Sequence, residues 1–508
     1  AKITSTYLIN KADFVACHKA SYIRQYNMVE DVKPGGVFLL NCSWNAEELE
    51  EHLPGQVKKY IADNNIQFYT IDGVKIGKEI GLGNRINTVL QSAFFKLSKI
   101  LPEEDAIKYM KDAATASYSK KGDAIVKMNH DAIDAGAQQI VKVEVPESWK
   151  NAQSEDLSVK HDGEGKLIDY VNDVLVPINQ FRGMQLPVST FEAYQTGEVP
   201  LGSSAFEKRG IAIDVPVWNN ETCIECGNCS YVCPHACIRP VILTKEELDN
   251  APEGIRYQNA MQLDGYYYAM AISVYDCTGC GSCVNVCPGK KGEKALVMEN
   301  MEANAGSQKA FDFGREIEVK PEVVAKFKPA TVKGSQFKQP LLEFSGACAG
   351  CGETPYAKLV TQLFGDRMYI ANATGCSSIW GNSSPSTPYT VNAKGQGPAW
   401  SNSLFEDNAE FGYGMLLGQK AIRKRLKAEV ETIAASDKAS AEVKAACQEY
   451  LDTFNCGASN GDATDKLVAA LDGCDCDTCK DIVKNKDFLA KKSQWIFGGD
   501  GWAYDIGF

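Results

Sequence analysis

The first third of the chain alternates between short apolar runs and amphipathic segments. Apolar runs at 36–40 and 66–71 are typical of buried strands. Helical spacing of apolar residues, or an acidic first turn, predicts helices over 45–52, 86–97 and 103–110. Strands that alternate with helices predict a parallel sheet covered on both faces, so residues 1–144 are predicted to form an α/β domain.

The rest of the chain divides by composition into four segments. Residues 145–216 are rich in Pro, Gly and polar residues and are predicted to be a linker that wraps other domains. Residues 217–300 hold two cysteine runs and are predicted to form a compact α+β module. A second linker is predicted over 301–339, and a further α/β domain over 340–508.

Both cysteine runs have the spacing C-x2-C-x2-C-x3-C-P of two-cluster bacterial ferredoxins. Three cysteines on a tight loop can wrap one face of an iron–sulfur cubane, and the fourth cysteine of each run ligates the other cluster. The spacing therefore predicts two [4Fe-4S] sites with crossed ligands. The first set is Cys223, Cys226, Cys229 and Cys287, and the second is Cys277, Cys280, Cys283 and Cys233.

Other uses of these cysteines fit the pattern less well. A zinc site with four protein ligands usually has cysteine pairs separated by a dozen or more residues, not two triplets each closed by Cys-Pro. A disulfide framework needs an oxidising compartment, and the N-terminus has no signal-peptide pattern. Cys237 is surplus to both sets of four and is interpreted as a small buried hydrophobe.

A second group of cysteines lies in the segment 340–508. The small-residue loop that contains Cys348 and Cys351 leads into a predicted helix, with Thr354 as its N-cap and Pro355 as its first residue. Cys376 follows a predicted strand at 368–372, at the strand's carboxyl end, where open parallel sheets bind ligands. The three cysteines are therefore predicted to converge as ligands of a third cluster, which would need one more.

Two further stretches carry weaker signals. The tract Cys474–Cys479, which contains Cys476, resembles a soft-metal motif without a partner motif, and it is interpreted as exposed and structural. The stretch Gly81–Asn87 lacks the full pattern of a phosphate loop, which favours a helix start.

Near the end of the sequence, a predicted buried strand at 495–497 leads into Gly498, Gly499, Asp500 and Gly501. A carboxylate at a strand tip, flanked by glycines that let a diphosphate approach, suits Mg²⁺ held together with substrate phosphates.

Charge and hydropathy narrow the classes of function. The net charge of −12 argues against nucleic-acid binding, which requires a basic surface. No apolar run approaches the length of a membrane span, so no membrane association is expected. Nineteen cysteines in a chain of this size, with cluster motifs among them, favour a reducing cytoplasm.

Together with the cysteine runs, the segments 346–356, 372–381 and 498–507 resemble the pyruvate:ferredoxin (or flavodoxin) oxidoreductase family. The resemblance covers nearly the whole chain. In that family one long polypeptide carries thiamine diphosphate, Mg²⁺ and three [4Fe-4S] clusters, binds coenzyme A and acts as a homodimer in anaerobic metabolism. The resemblance implies oxidative decarboxylation of pyruvate with coenzyme A to acetyl-CoA and CO2, with electrons passed through the clusters to ferredoxin or flavodoxin.

The resemblance also assigns roles to residues. Cys348, Cys351 and Cys376 would ligate the cluster nearest the thiamine, with Glu353 and Cys376 close to that cofactor. Residues 1–144 would correspond to the coenzyme A domain and 340–508 to the start of the thiamine diphosphate domain. The diphosphate and its metal would be held by Gly499, Asp500, Gly501 and Trp502, with Asp500 as the Mg²⁺ ligand. Contacts to coenzyme A are expected from Arg85 and Asn87.

The same resemblance predicts that the chain is an internal portion of the enzyme and inactive by itself. The sequence lacks the family's pyruvate-contacting domains and a fourth cysteine for the third cluster. Residues 1–10 have the pattern of a strand from the middle of a domain. The sequence leaves open which 2-oxo acid is used and which electron acceptor. An electron-transfer module without catalysis also remains open, whereas a non-oxidative decarboxylase would have no use for cysteine triplets.

Overall fold

A computed structural model gives the fold and describes residues 9–383, 385–499 and 501–506. The chain folds as two compact units. The first comprises residues up to 162 together with 172–190, and the second comprises 163–171 and the chain from 191 onwards. The strand predicted over 1–10 lies outside the described residues except for residues 9 and 10, which are in no strand.

The first unit is built on a four-stranded sheet in the order β1-β2-β3-β4. Its strands are β1 (Ala12–Cys17), β2 (Val32–Asn41), β3 (Gln67–Ile71) and β4 (Val141–Lys142). The first three strands pair in parallel, and the short β4 pairs antiparallel with β3 at the edge. The parallel sheet predicted from the apolar runs is therefore confirmed, with one antiparallel edge strand that the sequence pattern did not reveal.

Helices cover both faces of this sheet. They are α1 (Tyr22–Gln25), α2 (Ala46–His52), α3 (Gly55–Asp63), α4 (Gly73–Ile80), α5 (Asn87–Ser98), α6 (Glu103–Tyr118) and α7 (Asp123–Gln138). Successive side chains of β2 point to opposite faces, so Phe38 and Leu40 enter one core while Leu39 enters the other. The predicted helices at 45–52, 86–97 and 103–110 are confirmed as α2, α5 and α6.

The segment 145–216 contains two short helices, α8 (Lys166–Tyr170) and α9 (Val176–Asn179), and its residues are divided between the two units. The predicted wrapping of other domains remains a prediction.

The second unit begins with the two cysteine runs. Strands β5 (Asp214–Trp218) and β9 (Leu296–Asn300) flank the two runs in sequence and pair antiparallel, and each run contains a short helix, α10 (Asn228–Tyr231) or α12 (Ser282–Val286). Between the runs lie β6 (Ile238–Leu243), α11 (Lys245–Asp249), β7 (Gln258–Asn259) and β8 (Tyr267–Ile272), which form a second antiparallel sheet in the order β6-β8-β7.

Residues 301–339 are more ordered than the linker interpretation implies. They contain α13 (Ser307–Glu316), α14 (Pro321–Lys326) and α15 (Val332–Gln336). Phe311 of α13 is fully buried and belongs to the same core as Tyr268 of β8. This segment therefore extends the core of the cysteine-rich module.

The last part of the unit is a three-stranded parallel sheet in the order β11-β10-β12. Its elements are α16 (Thr354–Phe364), β10 (Met368–Asn372), α17 (Cys376–Ser378), β11 (Ala399–Asn402), α18 (Asn408–Ala435), α19 (Ala441–Thr453), α20 (Asn460–Leu471), α21 (Asp477–Lys484) and β12 (Ser493–Phe497). Helices α18 to α21 enclose a core of their own around Tyr450 and Leu467. Among the described residues, no helix is both long and apolar enough to cross a bilayer.

Two local predictions in this region are wrong. Glu353 is the N-cap of α16, so Thr354 is its first residue and Pro355 its second. The helix begins one residue earlier than predicted, because the backbone of Glu353 already has a helical ψ of −47°. Strand β12 is half-buried rather than buried, with Ile496 40% exposed, because an edge strand packs fewer neighbours than a central one.

Candidate iron–sulfur and cofactor site

One small cavity of the second unit is lined by four cysteines drawn from both runs. They are Cys223, Cys226, Cys229 and Cys287. Trp218 and Tyr268 close the cavity on its inner side, and both are buried. The crossed grouping arises because α10 and α12 pack against each other, which brings the end of each run to the start of the other.

A second cavity holds the complementary set. Its cysteines are Cys233, Cys277, Cys280 and Cys283, together with Cys237. Gly279 lies between Cys277 and Cys280 in sequence with φ +69°, and a Cβ there would be 2.9 Å from the Asp214 carbonyl oxygen. Only glycine therefore lets this loop take its observed path. Both cavities thus group the cysteines as the crossed prediction requires.

Backbone N–H groups point at sulfurs in both sets. Those of Glu225 and Gly279 donate to the sulfurs of Cys223 and Cys277, 3.4 Å away in each case. The N–H of Ala295 donates to the sulfur of Cys287 at 3.3 Å. Such hydrogen bonds favour thiolate charge and help to set cluster potential.

Burial keeps several of these thiols neutral when no cation is bound. Burial raises the pKa of Cys229 to about 12, and it raises the pKa of Cys277 to about 12 as well. A bound cation must therefore displace protons from these sulfurs, as thiolate ligation generally requires.

Cys237 is 1% exposed, which confirms its predicted burial. Its thiol donates to the carbonyl oxygen of His235 at 3.5 Å, and its backbone N–H donates to the Cys233 sulfur at 3.4 Å. Burial raises the pKa of Cys237 well above its ordinary value. The residue thus lies beside the second set as a satisfied neutral thiol, and its exclusion from the ligands remains a prediction.

The loop with the third group of cysteines is more open. Cys348 and Cys376 are exposed and Cys351 is partly exposed. The N–H of Glu353 donates to the Cys351 sulfur at 3.4 Å, which repeats the contact made at Cys223 and Cys277. The loop also adjoins the second cavity, because a Cβ at Gly350 would lie 3.6 Å from the Cβ of Cys280.

Cys376 lies at the edge where three parallel strands end. Asn372 at the end of β10 is paired with Asn402 of β11 and Phe497 of β12. The Asn372 side chain donates to Ser378 Oγ at 2.9 Å and to Asn402 Oδ1 at 3.1 Å. The residues that follow all three strands therefore meet at one edge, as expected of a ligand site in a parallel sheet.

The strand ends and the segments that follow them have space for a ligand and contain polar atoms with no hydrogen-bond partner in the described part of the chain. No atom of the residues that the structure describes lies within 4 Å of a Cβ placed on Gly499, and Gly375 is equally open. Among the described residues, Trp502 Nε1, Ser377 Oγ and Asn372 Oδ1 are buried without a hydrogen-bond partner. Open glycine backbone beside such atoms fits a phosphate-bearing cofactor. Asp500, the expected Mg²⁺ ligand, lies outside the described residues.

Glu353 and Trp502 have defined packing partners. The indole Nε1 of Trp380 donates to Glu353 Oε2 at 3.3 Å, which holds this carboxylate beside the cysteine loop. Trp502 is 6% exposed and lies against Gly498, where a Cβ would be 2.4 Å from the indole Cε3.

Gly498→Ala should therefore displace Trp502 and destabilise the second unit by about 1–3 kcal/mol, which is typical of overpacking. Urea unfolding followed by tryptophan fluorescence measures the change. Gly418→Ala is the matched control, because its Cβ would meet no atom within 4 Å in the described part of the chain. Equal stability of the two variants would contradict the packing argument.

The residues expected to contact coenzyme A lie at the start of a helix in the first unit. Arg85 is exposed, and Asn87 is the first residue of α5 and also exposed. The helix start predicted for Gly81–Asn87 is confirmed, and Gly81 ends α4 in the left-handed conformation with φ +91°. Contacts from Arg85 and Asn87 to coenzyme A remain a prediction.

Sequence reasoning missed one buried charge beside the cysteines. The ammonium group of Lys358 donates to the carbonyl oxygens of Ser230 and Tyr231, between Cys229 and Cys233. It is 1% exposed, and burial lowers its pKa to about 8. A single lysine on an amphipathic helix gives no sequence signal of such a position.

Comparisons with known proteins agree with these features. The family described as "Pyruvate ferredoxin/flavodoxin oxidoreductase" matches residues 1–139, and the family described as "4Fe-4S dicluster domain" matches 219–290. A domain of unknown function matches 158–212.

Similar proteins match over the whole chain. A pyruvate-flavodoxin oxidoreductase of Enterobacter agglomerans and a pyruvate:ferredoxin oxidoreductase of Moorella thermoacetica are each 49% identical, over 100% of this chain and 43% of their own length. A pyruvate dehydrogenase [NADP(+)] of Cryptosporidium parvum is 41% identical over 29% of its length. The chain therefore spans less than half the length of these relatives.

Proposed function

Because the chain belongs along its whole length to the pyruvate:ferredoxin (flavodoxin) oxidoreductase family, we propose that it contributes the electron-transfer module and part of the cofactor site of such an enzyme. The reaction is the oxidative decarboxylation of pyruvate with coenzyme A to acetyl-CoA and CO2, with ferredoxin or flavodoxin as electron acceptor. The observation that carries this proposal is the grouping of eight cysteines around two cavities.

Two [4Fe-4S] clusters are assigned to these two sets of four. The fit rests on the donor set itself, since the first cavity offers four cysteine sulfurs, the second offers the same number besides Cys237, and no carboxylate of a described residue lines either cavity. His235 also lines the second cavity, but its Nδ1 contacts the Ser345 carbonyl oxygen at 3.0 Å. The clusters would supply one-electron carriers.

A third cluster is assigned to Cys348, Cys351 and Cys376. The close approach of Gly350 to Cys280, where an added Cβ would lie 3.6 Å from the Cys280 Cβ, supports an order in which this cluster neighbours the second set of four, which in turn neighbours the first. The N–H contact at the Cys351 sulfur supports a ligand role for that residue.

The strand tips are assigned to thiamine diphosphate and Mg²⁺. Thiamine diphosphate, when bound, supplies the carbanion chemistry that decarboxylates a 2-oxo acid. Gly499, Gly501 and Trp502 would bind the diphosphate and Asp500 the Mg²⁺, with Glu353 and Cys376 nearby. The first unit would bind coenzyme A near Arg85 and Asn87. By family resemblance, we also propose that the enzyme is a homodimer, that it is cytoplasmic, and that it acts in anaerobic metabolism.

The test is reduction of a viologen dye that depends on both pyruvate and coenzyme A, measured under argon on the full gene product that contains this sequence. Cys376→Ser should lower the rate more than about tenfold, because electrons then lack the acceptor nearest the thiamine. Cys456→Ser is the matched control, since Cys456 is equally exposed and lies outside every proposed site.

The rates of the same assay with pyruvate, 2-oxobutyrate and 2-oxoglutarate show which 2-oxo acid is the preferred substrate. Full activity of Cys376→Ser would contradict the assignment of that cysteine. Dithionite-reducible iron without any turnover of a 2-oxo acid would contradict the catalytic proposal and favour a pure electron-transfer module.

A further inference from the structure

Three sulfurs converge in the helical region α18 to α21, away from the two cysteine-lined cavities. Cys474 Sγ lies 3.6 Å from Cys476 Sγ and 2.9 Å from Cys479 Sγ, and the last two are 2.7 Å apart. The interpretation of this tract as exposed is wrong for Cys479, which is 3% exposed. We propose that Cys474, Cys476 and Cys479 form a binding site for a single thiophilic d10 cation, with Zn²⁺ as the expected occupant.

The distances favour one ion over a cluster. Thiolates of a cubane lie on different irons, whereas these sulfurs are in mutual contact. A zinc ion with Zn–S bonds of about 2.3 Å needs tetrahedral sulfurs roughly 3.8 Å apart, an expansion of about 1 Å or less. Cys476 is exposed and Cys474 is only partly buried, so these two can make that adjustment around the fixed Cys479.

The backbone is arranged for thiolate ligands. Gly473, in the left-handed conformation with φ +76°, turns the chain after α20 and directs Cys474 back toward α21. The N–H of Cys479 donates to the Cys476 sulfur at 3.2 Å, and the backbone of Cys476 hydrogen-bonds the Cys474 sulfur. The same kind of N–H contact occurs at Cys223 and Cys277 of the proposed cluster sites.

Charge around the tract also favours a cation. Asp472, Asp475 and Asp477 flank the three cysteines in sequence. The carboxylate of Asp475 is fully exposed and forms an ion pair with Lys480 at 3.2 Å. Three thiolates bind Zn²⁺ with the release of their protons, and water completes the tetrahedron on the exposed side of Cys476.

The site connects two helices through their shared core. Cys479 belongs to the core that contains Tyr450, Leu467 and Ile482, while Cys474 lies in the turn after α20. A bound ion would therefore fix the start of α21 to the end of α20, and so hold the chain that leads into β12.

The experiment counts metals in the full gene product that contains this sequence, purified anaerobically from zinc-supplemented medium and washed with nitrilotriacetate. Elemental analysis should find about one zinc per chain beside the iron. Cys476→Ser should lose at least about nine-tenths of the zinc and keep its iron. Cys456→Ser, another exposed cysteine of the same region, should keep both metals.

Zinc-edge X-ray absorption is blind to the iron sites and should show three sulfurs at about 2.3 Å. Hydrogen exchange should lose protection over α21 when zinc is removed, which serves as the readout if a Cys479 variant fails to fold.

Three results would overturn the proposal. One is zinc far below one per chain, and another is equal zinc in wild type and Cys476→Ser. The third is a disulfide between two of the three cysteines in the anaerobic protein, shown by mass spectrometry after alkylation. Each is independent of the pyruvate assay, so failure of this site and failure of the proposed function are distinguishable.

Discussion

Cys287→Ala is expected to lower bound iron by about four per chain and to remove the cluster assigned to the other cysteine run. Cys287 lines the cavity that also contains Cys223, Cys226 and Cys229. The three cysteines that precede it in sequence line the second cavity instead. Loss of this sulfur leaves one iron of the first cubane without a thiolate, whereas the second set keeps all four.

Iron analysis and EPR of the dithionite-reduced protein measure the effect. Reduced clusters close together couple magnetically, so the wild type should give a broadened signal, and the variant should lose the part of that broadening that comes from the first cluster. Cys237→Ala is the matched control: it removes a buried thiol beside the second set, and iron should stay unchanged. Loss of the cluster held by Cys277 in the Cys287 variant would contradict the crossed assignment.

Much of the fold could be predicted because its apolar periodicities are strong. Strand β10 lies at 368–372 as predicted, and helices α2 and α5 begin within a residue of the predicted starts. The antiparallel β4 could not be predicted, because two exposed residues carry no alternation. The helices at 301–339 were missed because they are short and polar, and only packing of Phe311 on the core shows their role.

The candidate site also has a part that the sequence predicts and a part that it does not. The crossed grouping of the cysteines follows from spacing alone, because the motif encodes its own geometry. By contrast, the convergence of Cys474, Cys476 and Cys479 depends on the turn at Gly473 and on the position of Cys476 as the N-cap of α21, which spacing does not specify. Buried charges such as Lys358 also depend on tertiary contacts, since an isolated lysine is usually at the surface.

A buried carboxylate between two arginines joins the cysteine-rich module to the third cysteine loop. Glu343 is 1% exposed and pairs with Arg239 of β6 and, at 2.5 Å, with Arg315 of α13. Arg239 also donates from Nε to the Ala236 carbonyl oxygen at 3.2 Å, and its guanidinium lies 5.5 Å from the ring centre of Phe344. This network holds residues near the second cavity against the segment that leads to Cys348.

Burial opposes ionisation of Glu343, but the charges of Arg239 and Arg315 outweigh it and hold its pKa below the ordinary value of 4.5. A carboxyl with a lowered pKa stabilises the folded state above its unfolded pKa, and that stability is lost as pH falls through the folded pKa. The contribution of Glu343 is therefore complete at neutral pH and disappears only in acid below about 4.5.

Glu343→Gln should lower the free energy of unfolding of the second unit by about 3–5 kcal/mol at pH 7, because the buried Arg239 is left without a counter-charge. Arg315 is 38% exposed and remains hydrated, so it contributes little to the loss. The measurement is urea unfolding of the iron-loaded chain under argon, followed by tryptophan fluorescence. Asp249→Asn, which breaks the exposed pair with Lys245, is the matched control and should cost about 0–1 kcal/mol. A loss for Glu343→Gln as small as that of the control would show that the network contributes no more than a surface ion pair.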